Sequence, residues 1–505
     1  MPGDESRWIA LEPRPRETLR FALERSLREA IRAGALRPGV PLPSSRTLAA
    51  SLGVSRGVVT DAYDQLSAQG FLITRVKATP LVGAVARPPA PATARPPAPP
   101  PRFDLSPSTP EIALFPARDW TEALVGAIRS APVSALGYGS PRGEPALREV
   151  LADHLGRTRG VVADPERIVI LNGAAQGIIL LAHALSGAGA TRVAVEDPSL
   201  VSQPHRLRMS GLEVAGQPVD AEGVILDGLA AHVVLVTPAH QFPTGAVLSG
   251  PRRRDLLTWA RQHDALIVED DYDAEFRYDR EPVPALQGLD PDRVAYLGTA
   301  SKTLAPALRL GWLLLPARLA GEAEAVKHLL DVCSPALEQL ALARLLTSGA
   351  YDRHIRQMRA VYRRRRVALL RAVERHLPGL TIAGIAAGIH GVVWLPTGVD
   401  DRRVAAEAER EGVRVAPISQ FRIARPSPPG LALGYGRVTE GPPSTTPSRR
   451  WPGPCATPGA MREPAPVSDR EVLRAVRVHD PVHALQQRLR VAIDRGSARP
   501  RAGRP

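Results

Sequence analysis

The chain has 505 residues, and its 65 lysines and arginines against 51 acidic residues give a formal net charge of +14. At about 100–200 residues per domain, this length predicts more than one domain. A hydrophobic content of 44% excludes a wholly disordered chain. Cys333 and Cys455 are the only cysteines, which excludes a disulfide scaffold or a zinc finger and fits a reducing compartment. Because no secretory signal and no uninterrupted apolar stretch of about 18 residues occurs, we expect a soluble, cytoplasmic protein.

Lysine is rare in this chain and occurs only at Lys77, Lys302 and Lys327, so arginine supplies the other 62 of the 65 basic residues. This usage indicates a coding bias, and the positive net charge alone is therefore weak support for a nucleic-acid partner. The same bias makes a lysine informative wherever an arginine would serve equally well as a charge.

Two proline-rich segments divide the chain. In residues 86–102, eight of seventeen residues are proline, which is typical of an extended spacer. The second segment begins near Gly441 and is followed by apolar spacing that would suit a helix over 469–495. We predict an N-terminal domain, a linker, a large domain and an atypical, partly helical tail, over 1–85, 86–102, 103–440 and 441–505 respectively.

The N-terminal domain shows three helical patterns, over 18–33, 44–52 and 55–70, each ending at or beside a glycine. The short turn between the second and third helices predicts a helix-turn-helix, whose second helix can enter the major groove of DNA. The following FLITRVKATPLVGA predicts a β-hairpin wing that bears Arg75 and Lys77. A three-helix domain with solvated charges is the alternative.

The segment PLPSSRTLAASLGVSRGVVTDAYDQLSAQGFL closely resembles the GntR-type winged-helix DNA-binding domain. The resemblance implies a double-stranded DNA operator as partner, with Arg46, Ser55 and Arg56 as contacts. The wing departs from the family, because RVKATPLVG has no glycine at its tip.

Residues 103–440 alternate short apolar runs with helical patterns, which predicts an α/β domain with a mostly parallel sheet. The strand candidates are Arg167–Leu171, Arg192–Val195, Val233–Val236, Ala265–Val268, Val294–Leu297 and Gly311–Leu315. Polar residues follow five of these runs, and such strand ends meet at one edge of a parallel sheet. They are Asn172 and Gly173, Glu196 and Asp197, His240 and Gln241, Glu269 to Tyr272, and Thr299 to Lys302.

Lys302 is the residue with the most specific chemistry. A Schiff base needs a primary amine that can lose its proton, which arginine cannot provide. Hydroxyls at Thr299 and Ser301 precede it and Arg309 follows, and hydroxyls with an arginine make a plausible phosphate clamp. The alternative is that the lysine is simply a residual surface charge.

Pyridoxal phosphate requires an imine lysine, a phosphate site, a carboxylate at its pyridine nitrogen and a group at its phenolic oxygen. The run IVEDDYDAEF supplies a carboxylate at a strand end and a tyrosine two residues later on the same face. NGAAQG, at the start of a predicted helix, supplies free backbone amides for phosphate.

Four segments together resemble the MocR/GabR-type regulators: EDDYDAEF, GTASKTLAPALRLG, TPAHQFPTG and LGYGSPRGEPALREVLADHLGRTRGV. In that family a GntR-type domain is fused to a fold-type-I aminotransferase-like domain that binds pyridoxal 5'-phosphate and forms head-to-tail homodimers. The resemblance implies a Schiff base at Lys302, pairing of Asp270 with the pyridine nitrogen, a bond from Tyr272 to the phenolic oxygen and phosphate binding by Arg309. It implies supporting phosphate contacts by Ser301, Thr299, Gly173 and Ala174, and a structural role for Asp271.

The chain departs from this family in three places. Leu200 stands where an aromatic residue often stacks on the cofactor. Ala432 stands where many members have an arginine that binds a substrate carboxylate, and nothing in the sequence argues that the nearby Arg437 replaces it. A proline-rich tail follows VTE where the family has a helical segment.

Three functions remain open from sequence. The first is a transcriptional regulator that binds pyridoxal phosphate and senses an amine, an amino acid or the cofactor itself. The second is an active aminotransferase with a secondary DNA-binding domain, against which Ala432 counts. The third is a DNA-binding protein whose large domain has lost the cofactor, against which the presence of Lys302, Asp270, Tyr272 and Arg309 counts.

Overall fold

The computed structural model describes residues 11–74, 79–84, 101–278, 283–384 and 386–437. Its internal contacts divide the chain into two compact units, residues 1–99 and 100–505. The domain boundaries predicted at 85, 102 and 440 lie within or beside residues outside the described ranges, so they stay predictions.

The small unit consists of three helices and a short hairpin: α1 (Leu19–Ala33), α2 (Ser45–Leu52), α3 (Arg56–Ala68), β1 (Leu72–Ile73) and β2 (Leu81–Val82). Ser44 and Ser55 cap α2 and α3 by accepting backbone N–H groups at 3.2 and 3.4 Å. Gly53 ends α2 in the left-handed conformation that glycine adopts without strain. The unit is therefore the predicted winged helix-turn-helix. Arg75 and Lys77, predicted at the wing, lie outside the described residues.

The large unit begins with the short strand β3 (Phe103–Asp104). Its main sheet has the order β4-β11-β10-β9-β8-β5-β6-β7. Strands β4, β5, β8, β9 and β10 run parallel, while β11 is antiparallel to both β4 and β10. The prediction of a mostly parallel sheet is confirmed. The strands are β4 (Ile168–Leu171), β5 (Arg192–Asp197), β6 (Glu213–Asp220), β7 (Gly223–Val224), β8 (Val233–Val236), β9 (Leu266–Asp271), β10 (Val294–Thr299) and β11 (Gly311–Leu314).

The central strand β8 is apolar and buried along its whole length, as its sequence VVLV illustrates. Such continuous runs are typical of parallel strands that helices cover on both faces. Separate apolar clusters pack on the two faces of the sheet. The helices of this unit are α4 (Ala117–Ser130), α5 (Pro145–Arg159), α6 (Ala174–Gly187), α7 (Ser202–Met209), α8 (Gly250–Gln262), α9 (Ala317–Asp331), α10 (Ala336–Thr347), α11 (Ala350–His376) and α12 (Asp401–Arg410).

The C-terminal part of the large unit forms a second, antiparallel sheet of order β12-β13-β16-β15, which the sequence did not predict. Its strands are short and lack a long alternating pattern, and β14 instead pairs in parallel with the distant β3. These strands are β12 (Ile382–Ala383), β13 (His390–Trp394), β14 (Val413–Arg414), β15 (Ala416–Pro417) and β16 (Gly430–Gly434).

Three local predictions are wrong in the same way. Glu196 and Asp197 were expected after strand β5, Glu269 to Asp271 after β9 and Thr299 after β10, but these residues are the last ones of the strands themselves. The strands continue because each acid has a partner at the end of the sheet, so that polar side chains can be buried there. Within the described ranges, no helix has both the length and the apolar character needed to cross a bilayer.

Candidate functional site

The predicted polar strand ends lie at one edge of the main sheet. Thr299 at the end of β10 is in register with Gly311, and Gly311 is in register with Leu171 at the end of β4. Asp270 on β9 is in register with Leu297 on the neighbouring β10. The structure therefore brings the ends of β4, β9 and β10 to a common edge, where ligands bind in open α/β sheets.

Alternation along β9 separates its acids onto two faces. Asp271 accepts hydrogen bonds from Arg159 at 2.8 Å and from the Tyr296 hydroxyl at 2.7 Å, and both partners are buried. Asp270 points to the other face, where Gln203 Nε2 donates to its Oδ2 at 2.6 Å. The structural role predicted for Asp271 agrees with this buried ion pair.

Asp270 is a buried carboxyl group near a cation. Burial raises the pKa of Asp270 to about 7, against the Gln203 hydrogen bond and the positive charge of Lys302, while Asp271 raises it further. In the described part of the chain no donor reaches its second oxygen, Oδ1. The carboxyl group can therefore accept one more hydrogen bond from a bound molecule.

Lys302 lies close enough to Asp270 and Asp273 for their charges to act on it. Burial lowers the pKa of the Lys302 ammonium, and these two charges oppose the shift. Its Nζ donates to the backbone oxygen of Ser108 at 2.7 Å. Ser108 has a φ of 57°, which is strained for a residue other than glycine, and such strain collects at functional sites. No pattern in the sequence indicated Ser108.

Tyr272 lies beside a buried imidazole and carboxylate. Its hydroxyl donates to the backbone oxygen of His240 at 2.9 Å, and His240 Nδ1 lies 3.1 Å from Asp273 Oδ2. Burial raises the pKa of Tyr272 well above its usual value, so the hydroxyl stays protonated. One potential metal-ligand atom from each of His240, Asp273 and His390 lies within 4.8 Å of the other two, a spacing that could suit a metal ion. Each of these histidines already contacts protein oxygen atoms.

The predicted phosphate-binding residues meet at the start of α6. Arg309 Nη2 donates to the Asn172 backbone oxygen at 2.7 Å, next to Gly173. A Cβ atom at Gly173, whose φ is 86°, would lie 2.6 Å from that same nitrogen, so only glycine permits this approach. The hydroxyls of Thr299 and Ser301 are 2.9 Å apart. Gly173 caps α6 and Ala174 begins it, which leaves backbone N–H groups free for an anion.

Two features near the start of α6 were not predicted from the sequence. Burial and the positive charge of Arg309 lower the pKa of Arg206, so a second arginine on α7 lies near Arg309. Lys327 is fully buried and donates to Asp331 Oδ1 at 2.6 Å, and Asp331 Oδ2 accepts from the Asn172 side chain at 2.7 Å. The ion pair of Lys327 with Asp331 could have been predicted, because Lys327 is one of three lysines and stands four residues before an acid on the same helix.

Leu200, Ala432 and Arg437, at or near positions that differ from the MocR/GabR pattern, have different surroundings. Leu200 is partly exposed, at 42%. Ala432 is fully buried in an apolar cluster with Phe242, Phe421 and others, against which Tyr272 packs. Arg437 lies next to Asp104, 3.3 Å away. The position of Ala432 therefore offers no charge to a substrate carboxylate.

The predicted DNA contacts lie together in the small unit. Arg46 on α2 and Ser55 and Arg56 at the start of α3 are all exposed. Arg56 Nε lies 3.4 Å from the Ser45 hydroxyl, across the turn between the two helices. The Ser55 hydroxyl already accepts the Val58 N–H and can still donate its own hydrogen. Side chains and amides at such a helix start can contact phosphates and base edges.

Comparison with known families agrees with both units. Residues 19–79 match the gntR family of bacterial regulatory proteins, and residues 109–445 match the aminotransferases of class I and II. The fold and the site thus define a helix-turn-helix protein with an aminotransferase-type domain. Its relatives include the pyridoxine biosynthesis regulator PdxR of Corynebacterium glutamicum, 34% identical over 86% of this chain and 95% of that protein. Another is the probable rhizopine catabolism regulatory protein MocR of Rhizobium meliloti, 33% identical over 82% and 90%. The chain belongs to this MocR type of DNA-binding transcriptional regulators.

Solved structures similar to the chain are aminotransferases. The kynurenine aminotransferase of Pyrococcus horikoshii, solved in complex with PMP, is 25% identical, has a TM-score of 0.63 and covers 77% of this chain and 91% of its own. The multiple substrate aminotransferase of Thermococcus profundus is 24% identical, with a TM-score of 0.64, over 78% and 92%, and supports the fold alone. The large unit thus has the fold-type-I architecture, whose enzymes use pyridoxal phosphate.

Proposed function

We propose that the chain is a transcriptional regulator whose large unit binds pyridoxal 5'-phosphate through a Schiff base at Lys302 and senses an amine, an amino acid or the cofactor. The observation that carries this proposal is the juxtaposition of Lys302 with Asp270 at the ends of adjacent parallel strands, in one chain with a helix-turn-helix. When bound, this cofactor supplies an aldehyde that joins to amines and a ring that withdraws electrons.

Lys302 is the proposed nucleophile. Burial favours the neutral amine, which attacks carbonyl groups, over the ammonium. The nearby charges of Asp270 and Asp273 favour the ammonium and so oppose this shift. The Ser108 backbone oxygen accepts from Nζ and holds the side chain toward the strand ends.

Asp270, Tyr272 and the corner at α6 are proposed to orient the cofactor. The Oδ1 atom of Asp270 that lacks a donor would accept the pyridine N–H. The Tyr272 hydroxyl, which now donates to the His240 backbone oxygen, would turn its hydrogen to the phenolic oxygen. Arg309, Thr299, Ser301 and the backbone amides at Gly173 and Ala174 would bind the phosphate. Each of these groups is at or beside a strand end, so the whole set is positioned by the sheet.

The effector-binding side is unlike that of an ordinary aminotransferase, because Ala432 stands in an apolar cluster. We therefore expect ligands to change operator binding without sustained turnover of an amino donor with a keto acid. Titrating candidate amines and amino acids while recording visible absorbance and operator affinity tests this point. Turnover at an enzymatic rate would instead favour the aminotransferase alternative.

The small unit is proposed to read the operator through α3. Arg56→Ala should weaken specific operator binding about tenfold or more, since a good side-chain contact to a base is worth about 1–3 kcal/mol. The bound cofactor's absorbance should not change. Fluorescence anisotropy with operator and scrambled DNA measures the effect, and Arg118→Ala, an exposed arginine of the large unit, is the control. Equal operator affinity in the two variants would contradict the assignment of α3.

The chain is also proposed to form a head-to-tail homodimer, which would pair two DNA-reading units on two half-sites. Val133, Leu136 and Tyr138, after α4, are 86%, 72% and 91% exposed, which is unusual for neighbouring apolar groups. The proposed linker over 86–102 would then limit the half-site spacing.

Leu136→Asp should weaken dimerisation at least tenfold, because a charge would be buried in the interface. Sedimentation velocity over a concentration series measures the dimer. Leu289→Asp, at another exposed leucine, is the matched control. A dimer of unchanged affinity in Leu136→Asp would place the interface elsewhere.

A further inference from the structure

The acids at the end of β9 differ in their partners. Glu269 accepts two backbone N–H groups at 3.0 Å each. Asp271 forms an ion pair with an arginine, and Asp273 lies against a histidine. Asp270 instead receives its hydrogen bond from a neutral side chain, the amide of Gln203 at 2.6 Å. The charge state of Asp270 therefore depends on a single neutral amide, whereas the neighbouring acids have charged, imidazole or backbone partners.

Gln203 is built into the fold in one orientation. It lies on α7, is buried, and its Oε1 accepts from the Ser199 hydroxyl at 3.2 Å. Because the carbonyl end of the amide is engaged by Ser199, the N–H end points to Asp270 Oδ2. Two hydrogen bonds thus lock the donor onto the carboxyl group, and a buried polar group with both ends engaged is rigid.

We propose that Gln203 is a positioning residue that favours the ionised form of Asp270 and aims its free oxygen at the ring nitrogen of pyridoxal phosphate. This inference rests on the proposed function. Gln203 lies outside the segments that carry the family resemblance. The strand pattern of the sequence does not predict that its helix, α7, lies beside Asp270.

A hydrogen-bond donor to a carboxylate stabilises the charged form over the neutral acid. With the cofactor bound, an ionised Asp270 would hold a proton on the ring nitrogen, and a protonated ring would withdraw electrons more strongly. Without the Gln203 donor, Asp270 would compete better for that proton, and the ring would withdraw electrons less. The nitrogen joined to Lys302 would then be more basic and would keep its proton to higher pH.

The test uses the full-length protein with bound pyridoxal phosphate and the variant Gln203→Met, which keeps the length of the side chain and removes the donor. We expect the pH midpoint at which the visible absorbance titrates to rise by about one unit, and the dissociation constant of the cofactor to rise about tenfold. Gln203→Leu, which also removes the donor without adding a charge, should move both quantities in the same direction. It also keeps the inference testable if the methionine variant does not fold.

Two further variants complete the design. Ser199→Ala, which frees the amide to rotate, should give a smaller shift of the same sign. His205→Leu, at an exposed position of the same helix, should match the wild type. If the wild type binds the cofactor and both Gln203 variants titrate like it, the inference is wrong and the proposed function stands. If the wild type binds no pyridoxal phosphate, the proposed function itself fails.

Discussion

Lys302→Ala is expected to abolish covalent attachment of pyridoxal phosphate, so that the cofactor is lost on gel filtration and the visible band of the lysine adduct disappears. The reason is that no other amine in the described site can take its place. Lys327 is fully buried, and its Nζ donates to Asp331 and Ser334. Lys302→Arg should give the same result although it keeps the charge, because a guanidinium does not form an imine.

Reduction with borohydride followed by peptide mapping locates the attachment. The label should be found on Lys302 of the wild type and be absent from Lys327. A label on another lysine, or an unchanged visible band in both variants, would exclude Lys302 as the attachment point. A wild-type protein that stays colourless with added cofactor would favour the third alternative, a large unit used only for dimerisation.

Arg159→Met is expected to lower the free energy of unfolding of the large unit by about 3–5 kcal/mol. The Arg159 and Asp271 side chains are each only 2% exposed and lie 2.8 Å apart, so the variant leaves a buried carboxylate without its cation. Urea unfolding followed by near-ultraviolet circular dichroism measures the loss.

Arg157→Met is the matched control, because it lies on the same helix with its side chain 63% exposed and its ion pair is screened by solvent. Its effect should stay within about 1 kcal/mol. Adding Asp271→Asn to Arg159→Met should recover part of the stability, since the remaining partner is then neutral. A loss below about 1 kcal/mol for Arg159→Met would mean that the ion pair does not hold this end of β9.

The sequence predicted the architecture well because its signals are local. Continuous apolar runs such as VVLV can be buried between parallel strands, and serine caps mark the starts of α2 and α3. The alternation along β9 also placed Asp270 and Tyr272 together and separated them from Asp271. The antiparallel C-terminal sheet was missed, because its short strands are paired by contacts between distant parts of the chain.

The sequence offers candidates for the site where the residue chemistry is specific, and it offers none for the residues that contact those candidates. Three features of the sequence indicate a site: a lysine in an arginine-rich chain, adjacent acids after an apolar run and a glycine before a helix. Gln203, Ser108 and Arg206 carry none, since glutamine, serine and arginine are common on protein surfaces. Their importance comes from where α7 and the segment after β3 are packed.

The order of residues by itself determined that this protein joins a helix-turn-helix to an α/β unit with an amine and carboxyl groups near strand ends. The reason is that periodicity and residue chemistry are properties of neighbours in the chain. Only the tertiary structure decided which donor holds Asp270, what surrounds Lys302 and that Ala432 faces an apolar cluster. These are contacts between residues tens to hundreds of positions apart, and their energies depend on burial, which no local pattern encodes.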